Sequence, residues 1–183
     1  GNASFNTTLA ASTTNGEWIS ATATDLTTNE TSEFGLSVQI PPGNNAPSGA
    51  NNTVTTLEDT VYTFTLADFG FSDSDGDSVQ AVFFTTLPTL GTLKWNGNTF
   101  SAGNFVVDED IAAGLLTYTP GNNGNGAGYD SFTFQVQDDG GTVNGGIDTD
   151  QTPNTMTLNV TSVNDAPAGT NNSVSVLEDN AYT

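Results

Sequence analysis

Residues 131–140 read Ser-Phe-Thr-Phe-Gln-Val-Gln-Asp-Asp-Gly, with apolar side chains at Phe132, Phe134 and Val136 and polar ones between them. Consecutive side chains of an extended strand point to opposite faces, so a period of two buries one face and leaves the other wet. The same alternation recurs at Phe64 and Leu66, Val82 and Phe84, Leu116 and Tyr118, and Met156, Leu158 and Val160. Clusters of Gly, Asn, Asp and Pro separate these segments at short spacing, as expected for a β-sandwich rather than for strands alternating with helices. The fold class expected is all-β, an antiparallel β-sandwich. Two helical turns fit the remaining pattern: residues 108–114, with an acidic start and Gly114 at the end, and Leu66 to Phe69.

Moving outward from this strand, residues 44–63, NNAPSGANNTVTTLEDTVYT, recur as residues 164–183, NDAPAGTNNSVSVLEDNAYT, with 12 identities in 20 positions and a period of 120 residues. A period of that length is a whole domain rather than a solenoid unit. The expected organisation is a C-terminal part of another sandwich over residues 1–41, a linker over 42–46, a complete repeat over 47–165, and the first strand of the next repeat over 166–183. Residues 1–41 carry strand patterns around Phe5 to Leu9, Trp18 to Ala23 and Phe34 to Ile40, closed by Pro41-Pro42-Gly43. Strands without partners at both ends, Val174, Val176 and Leu177 among their residues, invite head-to-tail strand exchange between copies.

Composition narrows the chemistry. The 183 residues hold 21 acidic side chains, one basic one (Lys94), no His and no Cys, for a formal charge of -20. Nucleic acid and anionic membranes are bound through Lys and Arg, so neither is an expected partner. Zinc sites of the usual kinds, thiol nucleophiles and Ser-His-Asp triads need an imidazole or a thiolate, and none is present. No stretch approaches the roughly 20 apolar residues of a membrane-spanning helix. A low charged fraction of 12% beside abundant Thr, Ser, Asn and Gly fits an extracellular protein.

Antiparallel alternation assigns each loop to one of two poles. With the linker at residues 43–47 placed at the top, the first strand descends to Glu58, and the next climbs to the Asp73-Ser-Asp75-Gly-Asp77 loop. The loop 120–130 brings Asp130 to the bottom, the strand 131–137 rises to Asp138, and the last strand, 154–162, descends to Asn164-Asp165. The upper cluster is then Asp73, Asp75 and Asp138, and the lower one Glu58, Asp130, Asn164 and Asp165. Carboxylates about 4 Å apart repel by a few kcal/mol in an intermediate dielectric, and a hard divalent cation removes that cost. Calcium, which takes six to eight oxygens in flexible geometry, suits such loops better than magnesium. An EF-hand does not fit the loop at 73–84, because Ser78 stands where its invariant Gly belongs and Phe84 where its Glu belongs.

The Leu57-Glu58-Asp59 strand end, the Asp73-x-Asp75 loop, the Phe132-x-Phe134-x-Val136-x-Asp138-x-Gly140 strand and the Val163-Asn-Asp-Ala-Pro167 linker resemble cadherin repeats. More closely, they resemble the cadherin-like tandem domains of large bacterial surface adhesins of the RTX type. Residues 1–41 resemble the C-terminal half of a bacterial Ig-like domain. The resemblance implies calcium held between successive domains, with Glu58, Asp130 and Asn164-Asp165 serving one junction and Asp73, Asp75 and Asp138 the other. At the upper linker Asn45 replaces the Asp found at position 165, which removes one anionic ligand. It also implies a bacterial cell-surface location and neighbouring repeats of the same protein as partners.

Three functions are compatible with this reading. The first is a calcium-stiffened structural spacer of an extracellular adhesin or filament. The second is an adhesive module that binds carbohydrate or protein. The third, a carboxylate-pair glycosidase, needs an acid with a raised pKa in an apolar cleft, and the loops show no such cleft. The chain is therefore not expected to be an enzyme. Trp18 and Trp95 resemble sugar-stacking platforms only superficially, because lone strand aromatics usually belong to a core or sheet face and no second aromatic stands at matched spacing. Asp148 and Asp150 lie in a glycine-rich loop that reads more readily as solvated than as a further ion site.

Overall fold

Two sheets enclose a core of aromatic rings in the computed structural model, which describes residues 17–19, 24, 27, 28 and 38–179. The strand expected at Phe5 to Leu9 lies outside the described residues. Of the segment before the linker, the described part is a short antiparallel pair, β1 (Trp18–Ile19) with β2 (Val38–Gln39).

The sandwich proper begins at β3 (Asn52–Leu57) and crosses to β4 (Tyr62–Thr63). A single 3-10 turn over Leu66–Phe69 and an open loop lead to β5 (Val79–Phe84). Next come β6 (Thr92–Trp95), β7 (Asn98–Thr99), β8 (Phe105–Val107) and the short helix α1 (Asp108–Ala112). The domain closes with β9 (Leu116–Thr119), the 13-residue β10 (Gly126–Asp138) and β11 (Asn154–Thr161). One sheet has the order β3-β11-β10-β5-β8, the other β4-β9-β6-β7. Both helical turns expected from sequence are present. Asn96 and Gly97, at φ 49° and 75°, form the tight β6–β7 hairpin turn, whose twist requires positive φ at both central residues.

Every pairing in the two sheets is antiparallel except one, for β3 runs parallel to β11 with Val54 opposite Leu158. The count of strand directions requires this, since the first and last strands both descend from the same pole. The chain therefore enters the domain at one end and leaves it at the other.

Alternation fills the interior. Phe132, Phe134 and Val136 of β10 are buried, as are Phe84, Tyr118, Met156 and Leu158. Phe69, at the end of the 3-10 turn, meets Phe134 edge to face at 4.9 Å, and Phe64 meets Phe132 at 5.6 Å. Such pairs contribute beyond their burial, and truncating a buried Phe to Ala costs about 3–5 kcal/mol. A core of rings lets a chain with only 34% hydrophobic residues close a sandwich.

Candidate metal centre

The inward face of β10 reads Asp130, Phe132, Phe134, Val136, Asp138, and all five residues are buried. One strand thus drives a carboxylate into each end of the sandwich. Eight residues of strand separate them by about 26 Å, so they serve different poles. What surrounds each carboxylate decides which pole can hold a cation.

At the upper pole, Asp138 is 1% exposed. Its Oδ1 accepts bonds from the Asn44 amide at 2.8 Å and the Gly140 backbone N–H at 3.0 Å, while its Oδ2 has no donor. Asp73 is arranged in the same way. Its Oδ1 gathers the backbone N–H groups of Asp75, Gly76 and Asp77 at 2.7, 2.8 and 3.1 Å, folding the loop around itself. Its Oδ2 is buried and unpaired. Asn44 donates from Nδ2 to Asp138 and to the Ile147 carbonyl, leaving its Oδ1 buried and unpaired. These three atoms are the buried side-chain polar atoms without a partner among the described residues. All three are acceptors, and they sit at one pole.

Asp75 and Asp77 complete the cluster. Carboxylate oxygens of Asp73, Asp75 and Asp77 lie within 4.8 Å of one another. Asn45 donates both its backbone N–H and its side-chain amide to Asp75, each at 2.7 Å, and these bonds hold the Asp75 carboxyl below the usual carboxylate range. Asp77 shifts the other way. Partial burial raises its pKa first, followed by the charges of Asp73, Asp138, Asp139 and Asp75. A Cβ on Gly140 would strike the Asp77 Oδ2 and Asn44 Oδ1 atoms, so glycine there leaves both oxygens room to converge. Pro42, Gly43, Asn44, Asp75, Asp77 and Gly140 line an open cavity of about 350 Å³.

Buried acceptors without donors cost free energy, and unpaired carboxylate oxygens cost more than neutral ones. Here the deficit is of donors alone, which an oxygen-seeking cation remedies and an anion does not. The donor set consists of carboxylates and an amide oxygen with no nitrogen or sulfur ligand, the chemistry of calcium or magnesium. The residues present fit such an ion.

The lower pole differs. Asp130 Oδ1 accepts from the N–H groups of Thr89 and Ser131, and Oδ2 from those of Leu90 and Gly91 and from the Tyr118 hydroxyl, at 2.9–3.2 Å. A carboxylate offers about four lone-pair sites, and five donors saturate it. Tyr118 is held protonated, its pKa raised by burial first and then by Asp130. Glu58, 4% exposed, accepts from Val163 N–H at 2.6 Å and Asn125 Nδ2 at 2.9 Å, tying the end of β3 to the exit of β11. Asn164 and Asp165 follow directly and are exposed.

Of the residues singled out from sequence, the fold gathers Asp73, Asp75, Asp138 and Asn45 at one end. It keeps Asp130 as a loop anchor and leaves Asn164 and Asp165 on an exposed segment. Asp148 and Asp150 are engaged elsewhere, Asp150 accepting from Gly49 N–H and Asn154 Nδ2 and Asp148 from Gln137 Nε2. Sequence reasoning passed over Asp77 and Asn44. The signals for both were present: Asp77 is the third acid of an alternating run, and Asn44 is the repeat counterpart of Asn164.

An Ig-like sandwich with an acidic, donor-poor pole at its entrance defines the class of module. A family model described as bacterial Ig domain matches residues 44–161, and the chain belongs to that family. Comparison with curated proteins and with solved structures yields no match. Membership makes the domain a structural or adhesive module of the kind that bacterial surface proteins carry. No helix among the described residues is long and apolar enough to cross a membrane.

Proposed function

We propose that the domain is a calcium-stiffened spacer in a tandem array of an extracellular bacterial adhesin or surface filament, with neighbouring repeats as its partners and no enzymatic role. One observation carries this reading. The unpaired oxygens of Asp73, Asp138 and Asn44 are all buried at the pole where the linker enters, and one of them belongs to the linker itself. An ion held there ties the linker to the domain as well as relieving the carboxylates. The linker already docks beside it: Asn44 C=O accepts from Ile147 N–H at 3.0 Å, and Asn144 Nδ2 donates to Pro41 C=O at 3.2 Å. Entry and exit at opposite ends let such a module transmit length along an array.

Calorimetric titration of the metal-free chain with calcium tests the proposal. Saturable binding is expected, weakened at least tenfold in Asp138→Asn and Asp73→Asn and unchanged in Glu109→Gln, whose side chain is exposed on α1. Heat of dilution alone, or equal effects of all three substitutions, would leave diffuse charge screening as the explanation.

A further inference from the structure

The β6–β7 hairpin and the loop that follows it border a second open cavity, of about 450 Å³, whose chemistry is the opposite of the acidic pole's. Its lining includes Trp95, Phe100, Asn98, Thr99, Ser101 and Asn104, and contains no acidic side chain on a chain of net charge -20. The second aromatic that sequence spacing did not reveal is Phe100, which lines the same cavity as Trp95. Both rings are only half-buried. Phe100 is braced from behind by Phe84, ring centroids 5.1 Å apart. Trp95 is fixed by its indole N–H, which donates to Asp110 Oδ2 at 2.8 Å. The polar edge of the indole is thereby tied to α1, and its ring is held in place before any ligand arrives.

Around these rings stand neutral groups with unused hydrogen-bonding capacity. Asn98 spends its Nδ2 on the Asn96 carbonyl, and its Oδ1 has no partner among the described residues. Asn104 spends its Oδ1 on Ser101 N–H, and its Nδ2 has no partner among the described residues. The hydroxyls of Thr99 and Ser101 have no partner among the described residues. The set offers donors and acceptors in alternation beside an aromatic surface, within the size range of small-ligand sites.

We infer that this cavity binds a neutral glycan, with a sugar ring against Trp95 and Phe100 and its hydroxyls bonded to Asn98, Ser101 and Asn104. The ligand class follows by elimination on charge and shape. An anionic ligand meets the repulsion of the whole chain, a cationic one finds no carboxylate in the lining, and a purely apolar one wastes four polar groups. A pyranose has an apolar C–H face and a rim of hydroxyls that both donate and accept, and it uses the whole lining. Preorganised rings reduce the ordering cost of weak, repeated contacts.

Affinity electrophoresis tests this in gels cast with dextran, galactomannan, xyloglucan or a mixed-linkage β-glucan, with alginate as the charged arm, each run with calcium and with chelator. Retardation by at least one neutral polysaccharide is expected in both conditions, with dissociation weakened tenfold or more in Trp95→Ala and several-fold in Asn104→Ala. Trp18→Ala should leave it unchanged. Asn104 is exposed, so its variant keeps the test open should Trp95→Ala fail to fold. The inference is overturned by mobility that no neutral polysaccharide alters, by retention in alginate alone, or by retention that both cavity variants preserve. Calcium binding at the acidic pole is read separately by calorimetry, so failure of either proposal leaves the other standing.

Discussion

Two buried aspartates on one strand meet opposite fates because of their neighbours. Asp130 has five donors and no spare oxygen, while Asp138 has two donors on one oxygen and none on the other. Strand alternation placed the two carboxylates at opposite poles, yet it counts no donors. Three of the donors to Asp130 are backbone N–H groups of residues 89–91, and which carboxylate those groups face is set by how the loop packs against β10, not by residue type. Asn45 is another case. Read against Asp165 it is a missing anion, whereas in the fold its backbone N–H and its side-chain amide both donate to Asp75, and an aspartate at that position would keep the first bond and lose the second. A prediction with two signs follows for Asp77. Its pKa is raised in the folded chain, so the folded state holds the proton where the unfolded state has released it. Stability therefore falls as pH rises from the ordinary value of 3.8 through the folded value, and the cost persists at neutral pH. Asp77→Asn should raise the melting temperature in chelator and lower it in saturating calcium relative to wild type. Movement in the same direction under both conditions would show that Asp77 is either a scaffold residue or a bystander.

At the scale of elements, β10 and its two flanking loops organise both poles. Its hydrophobic period announced the strand, whereas the β6–β7 turn at Asn96-Gly97 was not singled out from the sequence although that pair is a common hairpin signal. The turn after β3 was legible too: Asp59 and Asp179, 120 residues apart in the repeat, both take positive φ, at 58° and 65°. The Glu-Asp pair forms a turn both times, once after the paired strand β3 and once after an exposed segment, residues 171–177, that forms no strand, where the repeat pattern predicted one. That Trp95 and Phe100 line one cavity was not legible, because it depends on how the chain after the hairpin folds rather than on spacing along a strand. The lower loops give a prediction that separates anchoring from ligation. Asp130→Ala strands three backbone N–H groups of residues 89–91 and a buried tyrosine hydroxyl, and should cost about 3 kcal/mol or more. Because Asp130 serves the fold, denaturant unfolding should show the same loss in calcium and in chelator. A loss confined to calcium would return Asp130 to the set of ion ligands.

For the whole molecule, the parallel pairing of β3 with β11 and the charge of -20 act together. The first makes the domain a through-connector with a linker at each end, and the second makes a compact chain repel itself. Simple screening and specific ligation both relieve repulsion, and they differ in range. Salt at about 0.1 M screens exposed charges beyond about 10 Å but acts weakly on partly buried groups, and the unpaired oxygens of Asp73 and Asp138 are buried. Binding to the folded state alone adds RT ln(1 + [L]/Kd), so millimolar calcium against a dissociation constant of roughly 10–100 µM contributes about 1.5–3 kcal/mol per site. For a domain of this size that is a rise of roughly 6–12 °C in melting temperature. Magnesium demands stricter octahedral geometry and sheds water reluctantly, so a cluster built from a flexible loop and a linker amide should prefer calcium. Melting curves in metal-free buffer, in sodium chloride matched for ionic strength, in magnesium and in calcium should therefore place calcium well above the other three. Equal midpoints in calcium and matched sodium chloride would reduce the acidic pole to a screened surface and overturn the proposed calcium-stiffened spacer.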